Sequence, residues 1–320
     1  MLLLLSYALP YVFPKRFPAL SVLSLTVPIL IIINFFFLIY WLLGLKKQFL
    51  LSLIILLIGY SHILAFYKFS GKEIAILPEV TTVMSYNVRL FNAYDWSDDK
   101  QIDTKIQALI KKENPDIICL QEFYFTYENA FGEYPYKYVR YRAKSQRTGQ
   151  AIFSKHPIVN EGSLEFPDTG NNAIFIDVVK GKDTIRIYNL HLESLHISIE
   201  RQDLERSDSE KLFKRMGNAF ALQQAQAEIF IKHQRKNHYR KVVCGDFNNT
   251  QFSNIYRQVK GDMKDSFDEA GSGFGRTLNF EYFPMRIDFI LVDEPIEVIA
   301  HKTFSEKYSD HYPIKASLVF

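Results

Sequence analysis

The first 67 residues contain no aspartate and no glutamate. A stretch without acids that is also rich in leucine, isoleucine and phenylalanine does not make an ordinary solvated surface. Ala19 to Gly44 carries no charge over 26 residues and Phe49 to Tyr67 none over 19, and about 20 apolar residues cross a hydrocarbon core roughly 30 Å thick. Both stretches predict transmembrane helices. Met1 to Phe13 is also apolar, but a helix of that length reaches only about 20 Å, and no basic segment precedes it. A partial first membrane helix is the expectation. A signal-peptide core or a helix buried in a soluble protein are the competing readings, and two further spans directly downstream weigh against both.

Cysteine is nearly absent. The only two, Cys119 and Cys244, lie in apolar predicted strands without the spacing or histidine cluster of a thiolate metal site. They read as small buried hydrophobes, with a disulfide open only if their strands are neighbours. A basic excess is missing too. Lys15, Arg16, Lys46 and Lys47 account for the surplus, and the rest of the chain has 34 basic against 35 acidic residues. Domains that grip a nucleic-acid backbone usually carry excess positive charge, so this balance argues against a duplex-DNA enzyme. No internal repeat or low-complexity tract follows the leucine-rich start.

Lys68 to Val80 breaks the apolar run with Gly71, Lys72, Glu73, Pro78 and Glu79 and reads as a tether. Three parts follow: a membrane region over 1–67 (about 1–13, 19–44 and 49–67), the tether over 68–80, and a soluble domain over 81–320. In the soluble domain, β-rich runs alternate with helical patterns. Strands are predicted at Thr82–Val88, Ile117–Leu120, Tyr136–Arg142, Ala151–Ser154, Ala173–Val179, Thr184–Leu190, Lys241–Cys244, Ile287–Val292 and Ile314–Val319. Gly181-Lys182-Asp183 is a compact turn signal, so Ala173 to Leu190 is expected to form a hairpin. Ile102, Ile106, Leu109 and Ile110 share one helical face. A long helix over Ser209–Arg235 carries Leu212, Met216, Phe220, Ala227 and Phe230 near one stripe, after a charged loop at Glu200 to Glu210. Sheets mixed with helices in this order predict a layered α/β (α+β) domain.

Chemistry-bearing residues recur at predicted strand ends: Ser85-Tyr86-Asn87, Gln121-Glu122, Asn189-Leu190-His191, Gly245-Asp246-Phe247-Asn248, Arg286-Ile287-Asp288 and Ser309-Asp310-His311. Phosphoester hydrolysis at neutral pH needs a cation on the phosphoryl oxygens, an activated water, and donors for the transition state. Carboxylates to hold the cation, and carboxylates, amides and imidazoles to activate the water and donate to the phosphate, are all among these residues. In the third-to-last motif, Gly245 lets the backbone turn after Val242-Val243-Cys244, and Phe247 anchors two polar neighbours. An Asx-turn is the alternative for Asp246 or Asn248.

In order and spacing these six segments resemble the endonuclease/exonuclease/phosphatase family, also called the deoxyribonuclease I-like superfamily, over about Thr82 to Phe320. The resemblance implies a four-layer sandwich of two packed β-sheets with helices outside. It makes Glu122 the principal magnesium ligand, with Asn87 and Asp310 at the metal or its water shell and manganese as a substitute. It implies that Asp246 orients or deprotonates the attacking water, that Asn248 and His191 donate to the phosphate, and that Asp288 fixes the tautomer of His311, the base or transition-state stabiliser. Gln121 and Asn189 would be supporting hydrogen-bond partners. His156, His196, His233 and His238 lack such context and are expected at the surface. Two features stay open: Lys137, Arg140, Arg142, Lys144 and Arg147 form either a phosphate-binding edge or a solvated strand, and Phe274 to Phe283 either lines the cleft or joins the core.

The expectation is therefore a membrane-anchored, magnesium-dependent phosphoester hydrolase, foremost a phosphodiesterase, embedded in a lipid bilayer by its N-terminal helices. Its substrate is a lipid headgroup, a nucleic acid or a soluble phosphoester, and no protein partner is implied. The alternative is a membrane scaffold or binding protein that keeps the fold without catalysis. Lys46 and Lys47 between the two long spans place that loop in the cytoplasm and the catalytic domain outside it, although Lys15 and Arg16 point the other way.

Overall fold

The computed structural model describes residues 1–71, 79–142, 147–195, 209–280 and 282–320. Lys72 to Pro78 of the expected tether, Lys144 of the basic series, His196, Glu281 and most of the charged run before Ser209 lie outside the described residues. Two six-stranded sheets pack face to face. The first contains β1 (Thr81–Asn87), β2 (Ile117–Tyr124), β3 (Tyr136–Tyr141), β4 (Thr148–Ser154), β11 (Glu297–Thr303) and β12 (Ile314–Val319), in the order β11-β12-β1-β2-β4-β3. The second contains β5 (Ile158–Ser163), β6 (Asn172–Lys180), β7 (Asp183–His191), β8 (Arg240–Asp246), β9 (Lys264–Asp265) and β10 (Asp288–Val292), in the order β5-β6-β7-β8-β10-β9. The hairpin predicted around Gly181 is β6–β7, turning on a positive φ of 63°.

The central strands are apolar on both faces because each sheet is covered on both sides. Val83, Ile117, Cys119 and Ile152 meet Ile176, Ile187, Val242, Cys244 and Ile290 between the sheets. Cys119 and Cys244 thus belong to opposite sheets, and both are free thiols. Burial, with Cys119 alongside, pushes the Cys244 thiol well up. The edge strands β5 and β11 escaped the sequence pattern. Asn160, Glu161, His301 and Lys302 interrupt their apolar character, as edge strands with a solvated face allow.

At the N-terminus, α1 (Leu2–Ser6) and α2 (Pro18–Val22) precede a 3₁₀ turn at Leu23–Thr26 that runs into α3 (Val27–Leu43). Pro18–Leu43 forms one apolar helical run of 26 residues, long enough to cross a bilayer. Phe35, Phe36, Phe37, Tyr40 and Leu43 on it are exposed. The second expected span is not straight: α4 (Phe49–Ile58) and α5 (Tyr60–Phe66) meet at 74°. Their junction is Gly59, where a Cβ would fall 1.9 Å from the Tyr7 hydroxyl. That hydroxyl donates to the Ile55 carbonyl at 3.0 Å, so the bend is packed around Tyr7.

The N-terminal region also docks on the sandwich. Asn254 Nδ2 donates to Pro10 O at 2.8 Å and Gln251 Nε2 to Ala65 O at 3.1 Å. Lys15 N donates to Gln224 Oε1 at 2.8 Å, and its ammonium pairs with Glu228. On the first sheet's outer face lies α6 (Ile102–Glu113), whose Ile106, Leu109 and Ile110 cover Met84, Ile118, Leu120 and Phe153. The second sheet is covered by α7 (Ser209–Gln234) and α8 (Asn254–Lys260), through Phe220, Ala227, Phe230, Ile255 and Val259. Leu212, expected in the same stripe, lies beyond that cluster, and Met216 packs only at its margin. A short α9 (Ser266–Ala270) completes the described helices used below. The result is the four-layer sandwich.

Candidate active site

Strand register alone assembles most of the expected residues at one rim. In the parallel β1–β2 pair, Asn87 stands opposite Gln121. In the parallel β7–β8 pair, His191 stands opposite Asp246, and antiparallel β10 sets Asp288 opposite Asp246 from the other side. Parallel neighbours end together, so their last side chains share one edge.

Glu122 needs more than a strand end. The β2–β4 register slips between Leu120 and Phe123, and Glu122 takes a left-handed φ of 48°. Such a bulge re-aims a side chain at the edge of a sheet. Gly245 makes the matching turn on β8. Its φ of 140° and a hypothetical Cβ only 1.9 Å from Leu190 O exclude any other residue without backbone movement. Asn248 also has a positive φ, 50°. Backbone strain of this kind persists where surrounding packing over-determines it, and it concentrates at functional sites.

Asp246 is fully buried and lies at the centre. Its Oδ2 accepts from Asn87 Nδ2 at 3.0 Å, and its Oδ1 from the Asn248 amide at 2.8 Å. The same Oδ2 lies 3.6 Å from His191 Nε2 and 3.6 Å from His311 Nε2. Behind His311, Nδ1 is 2.9 Å from Asp288 Oδ2. Thr277, which no motif pointed to, holds Asp288 in place: its Oγ1 accepts from the amides of Ile287 and Asp288 at 2.9 and 3.0 Å. Ser309 Oγ donates to Asn87 O at 2.8 Å and thereby ties the Ser-Asp-His segment to β1.

The two imidazoles differ in charge. Burial, reinforced by the charges of Arg142 and His311, drives His191 down to about 3, so it is a neutral ring. Its short approach to Asp246 is therefore no ion pair. For His311 burial also opposes protonation, but the carboxylates of Asp288 and Asp246 outweigh it and hold the ring well above its ordinary value. Burial pushes Asp246 up to about 7, with Asp288 adding to the shift against His311, the Asn248 amide and Asn87. Glu122 is also raised, by burial first and then by the charge of Asp310. Asn87 Nδ2 reaches Glu122 Oε1 only at 3.5 Å. Two crowded hard-oxygen acids beside an amide suit a divalent cation such as magnesium or manganese. Asp246, Asp288 and His311 also place donor atoms within 4.8 Å of one another. With His311 protonated and bound to Asp288, that group fits a proton relay better than a cation.

The two residues of the supporting pair are hydrogen-bonded to each other across the two sheets. Asn189 Oδ1 accepts from Gln121 Nε2 at 2.7 Å, while its Nδ2 donates to Leu120 O and Ala151 O at 2.9 and 3.1 Å. Asn189 belongs to the second sheet and all these partners to the first. It staples the sheets directly behind Glu122. Of the basic series, Arg140 pairs with Glu165, Lys137 bonds Asn129, and Arg147 lies over Phe125. Among the described members only Arg142 turns to the site, lining a small polar pocket with His191 and acting electrostatically on His191 and Glu122. Arg89, two residues past Asn87, stands 3.4 Å from Asp310 Oδ2; the motif Ser-Tyr-Asn gave no sign of it. His238 is exposed as expected, whereas His156 and His233 are half-buried. His233 is held by the Tyr188 hydroxyl at 3.0 Å.

A cavity of about 310 Å³ opens between α7 and the segment before β10. Asp246, Asn248, Glu122, Asp310 and His311 form one end of it. Phe280 and Phe283 line it, while Phe274 packs instead on Phe66 and Tyr67.

This fold and rim define a hydrolase of the sandwich class. The model of the Endonuclease/Exonuclease/phosphatase family matches residues 84–311, and the chain belongs to that family. A second family model, described only as a domain of unknown function, matches residues 1–66. No curated protein matches the chain. Among solved structures, the human Nocturnin catalytic domain with bound sulfate is similar at TM-score 0.59 and 16% identity, over 78% of this chain and 97% of that one. Truncated Caenorhabditis elegans TDP2 is similar at 0.53 and 19%, over 75% and 97%. A Bacteroides thetaiotaomicron mannosyl-6-phosphatase is similar at 0.54 and 22%, over 75% and 100%. At such identities the likeness establishes the fold.

Proposed function

We propose that the protein is a membrane-anchored, metal-dependent phosphodiesterase that uses an activated water. The observation that carries this reading is the position of Asp246, which contacts Asn87, Asn248, His191 and the His311–Asp288 pair at once. Glu122, Asp310 and Asn87 would hold magnesium or manganese, which when bound supplies charge neutralisation at the phosphoryl oxygens.

Asp246, whose proton affinity is poised near neutrality, takes a proton from the attacking water. The water oxygen bonds to phosphorus as the ester oxygen departs with its electron pair and is protonated by solvent. His311, held as imidazolium by Asp288, stabilises a phosphoryl oxygen as charge develops. His191 and Asn248 donate to the remaining oxygens. The relatives' names include a phosphatase, so monoesters belong in the first assay. An inactive scaffold is disfavoured because all expected polar positions at the rim are filled.

The long apolar run Pro18–Leu43, with its exposed aromatic side chains, supports anchoring in a bilayer, and the Lys46-Lys47 loop supports a non-cytoplasmic catalytic domain. Full-length protein in nanodiscs, assayed with bis(p-nitrophenyl) phosphate and p-nitrophenyl phosphate plus magnesium, tests the hydrolase reading. Diester turnover is expected, and no turnover of either compound overturns it.

A further inference from the structure

The cavity beside the reactive rim is polar at one end only. Beyond Asp246, Asn248 and His311, its walls are Leu212 and Met216 of α7, Phe280, Phe283 and Met285 before β10, and Leu25 from the N-terminal region. Leu212 and Met216 are one helical turn apart and thus present one apolar edge. Leu212 lies outside the core cluster under α7, and Met216 only borders it, so both have apolar surface left over for the cavity.

Leu25 is the informative wall residue. It lies in the 3₁₀ turn Leu23–Thr26, which passes without a break into α3 and its exposed apolar surface. Gly217 keeps this junction close to α7: a Cβ there would meet Pro18 Cβ at 3.1 Å. Leu25 therefore joins the wall of the cavity to the bilayer-length helical run Pro18–Leu43. Among the described residues lining the cavity there is no lysine or arginine. These described walls offer a nucleic-acid backbone no counter-charge.

We propose that this cavity binds the hydrocarbon chain of an amphiphilic phosphoester, so that the substrate is a lipid-like phosphodiester presented with its phosphate at Asp246 and its chain toward Leu25. The assignment rests on the anchored-hydrolase reading and narrows its substrate. The aromatic and aliphatic walls supply the affinity, as apolar-lined cavities with a few polar groups at one end do.

The test compares methyl and decyl p-nitrophenyl phosphodiesters with the full-length protein in nanodiscs. The kcat/KM for the decyl ester should exceed that for the methyl ester by about tenfold or more, since each buried methylene contributes favourably. In Met216→Gln and Leu212→Gln the decyl-to-methyl ratio should fall toward one. In Met216→Trp, which fills the cavity, the preferred chain should shorten. A ratio near one in the wild type, with the methyl ester still hydrolysed, overturns the chain site and leaves the hydrolase standing. A high ratio that all three variants retain shows mere partition into the bilayer and overturns it equally. No turnover of either ester removes the hydrolase reading and the chain site together.

Discussion

His191 and His311 each place Nε2 3.6 Å from the same Asp246 oxygen, yet one ring is neutral and the other charged. The difference comes from what stands behind each ring. His311 has Asp288 at 2.9 Å, whereas Arg142 adds positive charge near His191. A partner at the second ring nitrogen thus decides which imidazole stabilises charge and which only donates.

Removing members of this group should be costly for rate but not for fold. Asp246→Asn and His311→Ala are each expected to lower turnover by about a hundredfold or more, since general acid–base steps contribute roughly 10² to 10⁴. Asp288→Asn should act through His311, shifting the limb of the pH–rate profile that reports this ring to lower pH. Wild-type rates in purified, folded Asp246→Asn or His311→Ala would place the chemistry elsewhere.

Hydrolysis should require magnesium or manganese, because Glu122, Asp310 and Asn87 offer hard oxygen donors and no thiolate. Excess chelator is expected to abolish turnover, and added magnesium to restore it. Glu122→Gln should raise the magnesium concentration needed for half-maximal rate. Full activity in chelator would contradict the assignment.

The raised affinity of Asp246 for its proton also predicts a pH dependence of stability in chelator. Between about 4 and 7 the unfolded chain has released this proton while the folded protein keeps it. More protons bound in the folded state means that stability falls as pH rises through that window. The melting temperature of metal-free wild type should therefore drop by a few degrees more between pH 5 and 7.5 than that of Asp246→Asn. Parallel curves would remove Asp246 as the source.

Much of this site was legible because polar side chains at strand ends stand out against apolar strands, as Asn87, Glu122, His191 and Asp246 do. The alternation of runs gave a layered α/β domain, and the resemblance of the six motifs to a known family narrowed it to the four-layer sandwich. What was hidden depends on partners distant in sequence: Thr277 under Asp288, Arg142 beside His191, and Leu212 leaving its stripe to line a cavity with Leu25. The bend at Gly59 was hidden for the same reason, since it depends on Tyr7 packing from another segment. No local period encodes such encounters.

Asn189 shows how a motif residue expected only to support the site through hydrogen bonds can also join the two sheets. Its side chain bonds three groups of the opposite sheet. Asn189→Leu would leave these buried groups unpaired, and the expected loss is roughly 3 kcal/mol, or about 10 °C in Tm. A large fall in turnover with an unchanged Tm would instead make it a participant in the chemistry.

The orientation of the chain in the bilayer can be decided by a reporter fused after Phe320. Lys46 and Lys47 lie between the run Pro18–Leu43 and the bent pair α4–α5, and basic residues in short loops stay on the cytoplasmic side. If the bent pair crosses as one broken span, the sandwich emerges on the opposite side. Lys15 and Arg16 oppose this only weakly, because α1 is too short to cross and Lys15 is already paired with Glu228 of the sandwich. That pair itself places Lys15 on the same side as the catalytic domain, as a single crossing by Pro18–Leu43 followed by a return through α4–α5 requires. A periplasmic-type alkaline phosphatase fusion should be active and an ordinary fluorescent-protein fusion dark. The reverse pattern would put the sandwich and its substrate in the cytoplasm.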